Sequence, residues 1–157
     1  MAATELSTLH IGNLDQGGGL ERYVAELVPR LSGSQGRALG MVLGRGEPAG
    51  GFQHFSHPQA PLWERLYGMR KAFLALQGRM APDGVVVHFP LYALPILDRL
   101  DRPLIIHFHG PWWQESLWEG QGRAGAWAKR LIERRVYRRG EHFIVLSQAF
   151  GELLQRL

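Results

Sequence analysis

The sequence predicts a doubly wound α/β layer, a parallel sheet covered by helices on both faces. Three observations predict it. Short apolar segments alternate with segments of helical period along the whole chain, which is how βαβ units are written in sequence. Segments such as 85–87 and 104–106 are apolar at consecutive positions, as strands buried on both faces are. The first apolar segment also runs straight into three glycines before a helix begins.

The elements follow in order. Residues 6–11 read as a strand, and 20–31 as a helix with apolar residues at Leu20, Val24, Leu27, Val28 and Leu31. Residues 39–43 form a second strand. Residues 44–61 are rich in Gly, Pro and His without period and read as a long surface loop. A helix is expected over 62–80, a buried strand over 85–89, a short helix over 91–100 despite Pro95, and a strand over 104–108. Residues 110–125 read as a loop carrying Trp112, Trp113 and Trp118, followed by a helix over 126–139, a strand over 143–146 and a helix over 148–157. That last pattern stops without a capping glycine or a polar final turn, so a longer polypeptide is expected. No internal repeat or low-complexity tract is present.

A chain of 157 residues is the usual size of one domain and can bury a core without staples. With 45% hydrophobic and 20% charged residues it falls in the ordinary globular range. The absence of cysteine excludes disulfides, thiolate metal sites and thiol nucleophiles, and fits a reducing cytoplasm. No apolar run approaches a bilayer span, and the first residues show no basic-then-apolar export signal, so a cytoplasmic protein is expected. The net charge of +4 is carried almost wholly by arginine, whose fork suits phosphate and carboxylate partners.

Gly17, Gly18 and Gly19 stand between strand and helix, where unpaired N–H groups and the positive helix end attract phosphate. Glycine there allows positive φ and lets a diphosphate approach the amides without a Cβ in the way. The other reading is a flexible turn that needs one glycine for its geometry. The dinucleotide fingerprint is broken, because Arg22 stands where its third glycine belongs. Gly44 and Arg45, not an acidic residue, close the second strand, which disfavours NAD and leaves NADP only through Arg45. No Gly-Lys-Ser/Thr follows the glycines, so the P-loop pattern fails too.

The stretch "LIIHFHGPWW" at 104–113 is a strand whose His107 and His109 share one face. His109 is last, at the carboxyl end beside the glycine turn, where an imidazole can bond a sugar hydroxyl or balance phosphate charge. The pair lacks a third ligand at recognisable spacing, so no metal site is expected. His107 reads equally as a histidine bonded to neighbouring backbone. The tryptophans that follow can stack on a sugar, sit in a lipid interface or cover the sheet edge; Trp112, directly after Pro111, reads as structural.

Together "GGGLERYVAELVPRL", "IIHFHGPWW" and "HFIVLSQAFGELL" resemble the N-terminal half of GT-B glycosyltransferases, especially the retaining family 4, over nearly the whole chain. The resemblance implies a Rossmann-like domain over 1–157 that is one half of a GT-B architecture, with the C-terminal donor-binding domain absent from this chain. Gly18, Gly19, Leu20 and Glu21 match the family's Gly-Gly-x-Glu loop, which lies against the donor diphosphate. His109 and Gly110 match a strand ending in His-Gly whose histidine sits near the transferred sugar. Val145, Leu146 and Ser147 match its Val-x-Ser pattern. The family's basic pair and two glutamates have no counterpart before Leu157.

What the resemblance implies is transfer of a sugar from a nucleotide-diphosphate donor to a hydroxyl acceptor (a sugar, a lipid-linked sugar or a small molecule) with retention. His109 is then the catalytic candidate, and Gly17, Gly18 and Gly19 bind the diphosphate. Trp113, Gly110 and Glu21 belong to the acceptor side or to structure, since Glu21 can equally stabilise the first helical turn. No metal cofactor is implied, because backbone amides and basic side chains neutralise the leaving group. The helix bearing Lys129, Arg130, Arg134, Arg135, Arg138 and Arg139 can lie on an anionic membrane or be a solvated face. Two other readings stay open, a non-catalytic ligand- or partner-binding module and an NADP-dependent oxidoreductase. Nucleic acid is not expected as a partner, because no recognised binding motif accompanies the arginines.

Overall fold

A computed structural model describes residues 6–156 apart from Gln16, Gln35, Ala49 and Gln121. Six parallel strands form one sheet: β1 (Leu6–Asn13), β2 (Gly36–Leu43), β3 (Phe52–Ser56), β4 (Gly84–Val87), β5 (Leu104–Phe108) and β6 (His142–Val145), in the order β3-β2-β1-β4-β5-β6. The helices are α1 (Gly19–Ser34), α2 (Leu62–Gln77), α3 (Pro90–Ala93), α4 (Trp112–Trp118), α5 (Arg123–Tyr137) and α6 (Gln148–Leu154). The doubly wound parallel sheet expected from the sequence is therefore the architecture. Among the described residues no helix is long and apolar enough to cross a membrane.

Strand parity divides the core. Leu9, Ile11, Met41, Val85, Val87, Leu104 and Ile106 face Met69, Phe73 and Ile96 in one cluster, where α2 and α5 also pack. On the other face Val42 and Ala38 meet Val24 and Val28 of α1. Leu9, Ile11, Met69 and Ile96 are fully buried, each worth about 1.5–3 kcal/mol of burial, enough to anchor the helices of the first face. Gly12 faces α1, where even a Cβ would make only ordinary contact with the Val24 methyls, at 3.4 and 3.5 Å.

Two stretches read as loop contain elements. β3 lies within the expected loop 44–61. It is a short edge strand with only Phe55 buried, so its composition carries little apolar signal, and its place depends on Phe52 filling the space left by Gly40. α4 lies within the expected loop 110–125. Pro111 starts it, and the Trp112 N–H donates to Glu133 Oε1 at 2.8 Å from 21 residues away, a cap invisible to local sequence. The expected helix over 91–100 becomes α3 followed by a 3-10 segment, Leu94–Arg99. Pro95, at the start of that segment, has no N–H to continue the α-helical ladder. α6 matches the start of the expected last helix; Leu157 lies outside the described residues.

The chain leaves β1 toward β2 on one side and returns to β4 on the other. In such sheets ligands bind beyond the carboxyl ends of the strands, at this reversal of order.

Candidate active site

The loop after β1 and the end of β4 flank this switch point. Asn13 Oδ1 accepts from the Asp15 N–H at 3.0 Å, and Asp15 takes an ion pair from Arg45 Nε at 2.6 Å. Arg45, whose side chain remains largely exposed, is thus paired with the turn through its Nε. Gly17 has φ +65°, the left-handed region that favours glycine. The Gly18 carbonyl accepts the first helical bond, from the Arg22 N–H at 3.1 Å. A Cβ on Gly18 would stand 2.7 Å from Glu21 Oε2, whereas one on Gly19 would meet nothing within 4 Å. Gly19 opens α1, and Glu21 lies in its first turn with its carboxylate turned back toward Gly18. Placed there it meets the positive end of the helix dipole. A groove of about 610 Å³ lined by Leu14, Asp15, Arg45 and His54 runs along the adjacent strand ends.

On the α1 face of the sheet, strand parity brings four histidines together. His10 comes from β1, His88 follows β4, His107 lies in β5 and His109 just beyond it. Thr8 Oγ1 lies 3.2 Å from His10 Nε2, His10 Nδ1 lies 3.1 Å from His88 Nε2, and His88 Nδ1 lies 3.3 Å from His109 Nε2. His107 stacks on His109 with ring centroids 4.3 Å apart, and its buried Nε2 has no hydrogen-bond partner among the described residues. Tyr23, from the second turn of α1, lies over the group, with centroids 4.9 Å from His107, 5.7 Å from His109 and 6.0 Å from His88.

Burial keeps these rings neutral, because a charge cannot be solvated there. Desolvation first, and the neighbouring rings second, lower His88 to about 2 and His10 and His109 to about 4 each. Desolvation also lowers His107. At neutral pH each ring therefore offers one lone pair and one N–H. His109 is the partly exposed member of the four.

Gly110 turns the chain from His109 into α4 with φ +141°; a Cβ there would lie 2.9 Å from Glu115 Oε1. Trp112 packs edge-on against Phe89 at 4.9 Å and under the Lys129 ammonium at 4.6 Å. Trp113 lies under the Arg130 guanidinium at 5.1 Å, with its buried Nε1 unbonded among the described residues. It lines a groove of about 640 Å³ with Glu133, Tyr137, Phe143 and Leu154. Neither groove is lined by the histidines, which lie beneath Tyr23. Burial raises Glu133 to about 7, against the pull of the Trp112, Tyr137 and Trp113 donors. The apolar side of α5 divides: Val136 is buried, whereas Trp127 and Leu131 are exposed.

Of the residues singled out in the sequence, His109 packs beside Tyr23 of α1, the helix that Gly19 opens, and Trp113 stands beyond Gly110 in α4. Sequence reasoning missed His10, His88 and Tyr23. The signal for His88 was present, since it ends the apolar run 85–87 as His109 ends its own.

The family model for Glycosyltransferase Family 4 matches residues 17–157. The chain belongs to glycosyltransferase family 4. No curated protein matches the sequence. The family 4 match begins at the first glycine of the turn and takes in every site element described above except β1 and the Leu14 and Asp15 positions that follow it. The domain is thus a glycosyltransferase-type domain of the GT-B N-terminal kind, and a sugar donor and acceptor are its partners in general terms.

Proposed function

We propose that this domain is the acceptor-side half of a retaining, nucleotide-sugar-dependent glycosyltransferase. The acceptor's oxygen bonds the anomeric carbon as the diphosphate departs with its electron pair, and the acceptor's proton is released. The amides at Gly17, Gly18 and Gly19 take the developing charge of the diphosphate, with no metal bridging to it. His109 holds the donor sugar, and the Gly110 turn carries Trp113 to the acceptor side. Glu21 acts on the helix end. The observation that supports the reading is His109 lying beside Tyr23, in the second turn of the helix that the glycine turn opens at the switch point. The nucleotide itself is held by a second domain outside these 157 residues, so this chain alone does not turn over.

The acceptor is hydrophobic or presented at an anionic surface. Support comes from Trp127 and Leu131, exposed on α5 beside Arg134 and Arg135 and near Arg138, which caps its end. Assaying the two-domain enzyme with His109→Ala and Gly18→Val tests the proposal. Turnover falls by more than tenfold in each if it holds, and full turnover in both overturns it.

A further inference from the structure

The cluster His88, His107 and His109 offers one ring nitrogen from each residue, all within 4.8 Å of one another. We infer that these three histidines bind a divalent transition metal of the zinc class, as a buried clamp on the carboxyl ends of β4 and β5. In sequence the pair His107 and His109 had no third ligand; the parallel pairing of β4 with β5 supplies it across 19 residues.

Three features point to a ligand rather than to packing. His107 Nε2 is buried and without a partner among the described residues, and an orphaned buried nitrogen of this kind costs about 1–3 kcal/mol. The 3.3 Å between His88 Nδ1 and His109 Nε2 is about the edge of a tetrahedron whose zinc–nitrogen bonds are about 2.0–2.1 Å. Finally, an outer shell is in place. When His88 Nε2–H donates to His10 Nδ1, the His10 proton sits on Nε2 and donates to Thr8 Oγ1. That order turns the lone pair of His88 Nδ1 toward His107 and His109. A ligating histidine commonly has such a partner on its other nitrogen, which fixes tautomer and ring orientation. Three neutral imidazoles suit zinc, and neither thiolate nor carboxylate belongs to the group.

A metal on Nε2 leaves the remaining proton of His109 on Nδ1, free to donate to a ligand at the glycine turn. Only that consequence depends on the sugar-transfer reading; the clamp does not.

The test uses the whole chain, stripped with chelator and dialysed against zinc. One equivalent binds per chain, and cobalt(II) in its place gives the visible bands of a tetrahedral nitrogen site. His107→Ala and His109→Ala each weaken binding more than about 100-fold, and His10→Ala, which removes only the outer partner, about 10- to 100-fold. His57→Ala, at an exposed histidine outside the cluster, binds as the parent does. Circular dichroism checks that each variant is folded; should His107→Ala unfold, His107→Gln takes its place. Substoichiometric zinc in the parent protein, or undiminished binding in both His107→Ala and His109→Ala, overturns the inference. If metal fails to bind while a UDP- or GDP-sugar still binds the two-domain enzyme, the clamp alone is refuted.

Discussion

Replacing Glu133 by glutamine should flatten the pH dependence of folding stability on the alkaline side. Glu133 is 2% exposed; Oε1 accepts from the Trp112 N–H at 2.8 Å and from the Tyr137 hydroxyl at 3.2 Å, while Oε2 has no partner among the described residues. Burial raises its pKa from 4.5 to about 7. The folded state therefore holds this proton more tightly than the unfolded chain does. The stabilisation is complete below pH 4.5 and is lost as pH rises to about 7. At about 1.4 kcal/mol per pKa unit the whole effect is roughly 3 kcal/mol, of which about 2 kcal/mol falls between pH 5.5 and 8. That is a large part of the 5–15 kcal/mol typical of a domain. Glutamine keeps the acceptor for Trp112 and cannot ionise. The buried neutral histidines slope the other way below pH 6.5, but they are common to both proteins and cancel in the difference. Urea unfolding of the parent and Glu133→Gln at several pH values in fixed salt measures it. Parallel curves from pH 5.5 to 8 would refute the assignment of a raised carboxyl.

Gly19→Ala separates folding from ligand binding. A Cβ there meets nothing and the position is helical, so stability rises by about 0.4–1 kcal/mol, while turnover of the two-domain enzyme falls; undiminished turnover counts against a diphosphate seat. Ile96→Ala, at a fully buried position under the sheet, should cost about 2–5 kcal/mol, read as a lowered melting temperature with near-parent secondary structure. Gly17→Ala places a Cβ at φ +65° in open space, so the cost is conformational alone, about 1 kcal/mol; a larger loss would show contacts at the turn that the fold does not contain. Arg134→Glu with Arg138→Glu should reduce sedimentation with anionic vesicles at low salt, and salt should do the same to the parent. Equal retention at low and high salt would argue against surface attraction.

The order of elements was legible because buried parallel strands are written as short consecutive apolar runs. Residues 85–87 and 104–106 show this, and Val24 and Val28 show the helical period of the α1 face. β3 and α4 were not legible. A strand with a single buried side chain leaves almost no apolar pattern, and a seven-residue helix capped by Glu133 from α5 draws its stability from a contact that no local window contains. At the site, the glycine turn and His109 could be read from type and position, since a helix start without side chains and a strand-end histidine each state a local chemistry. Tyr23 could not, because its role depends on α1 crossing the strand ends.

What the sequence by itself determined is the layer and its punctuation: alternating βα units, a bare turn after the first strand, an imidazole at the end of another. These are local properties, set by side-chain period and backbone freedom. Only the tertiary structure decided which strands are neighbours. Placing β4 between β1 and β5 brings His10, His88, His107 and His109 from three strands onto one face, and burial there then holds the rings neutral with lone pairs to offer. Neither adjacency nor desolvation belongs to any residue alone, so neither is written in the order of the chain.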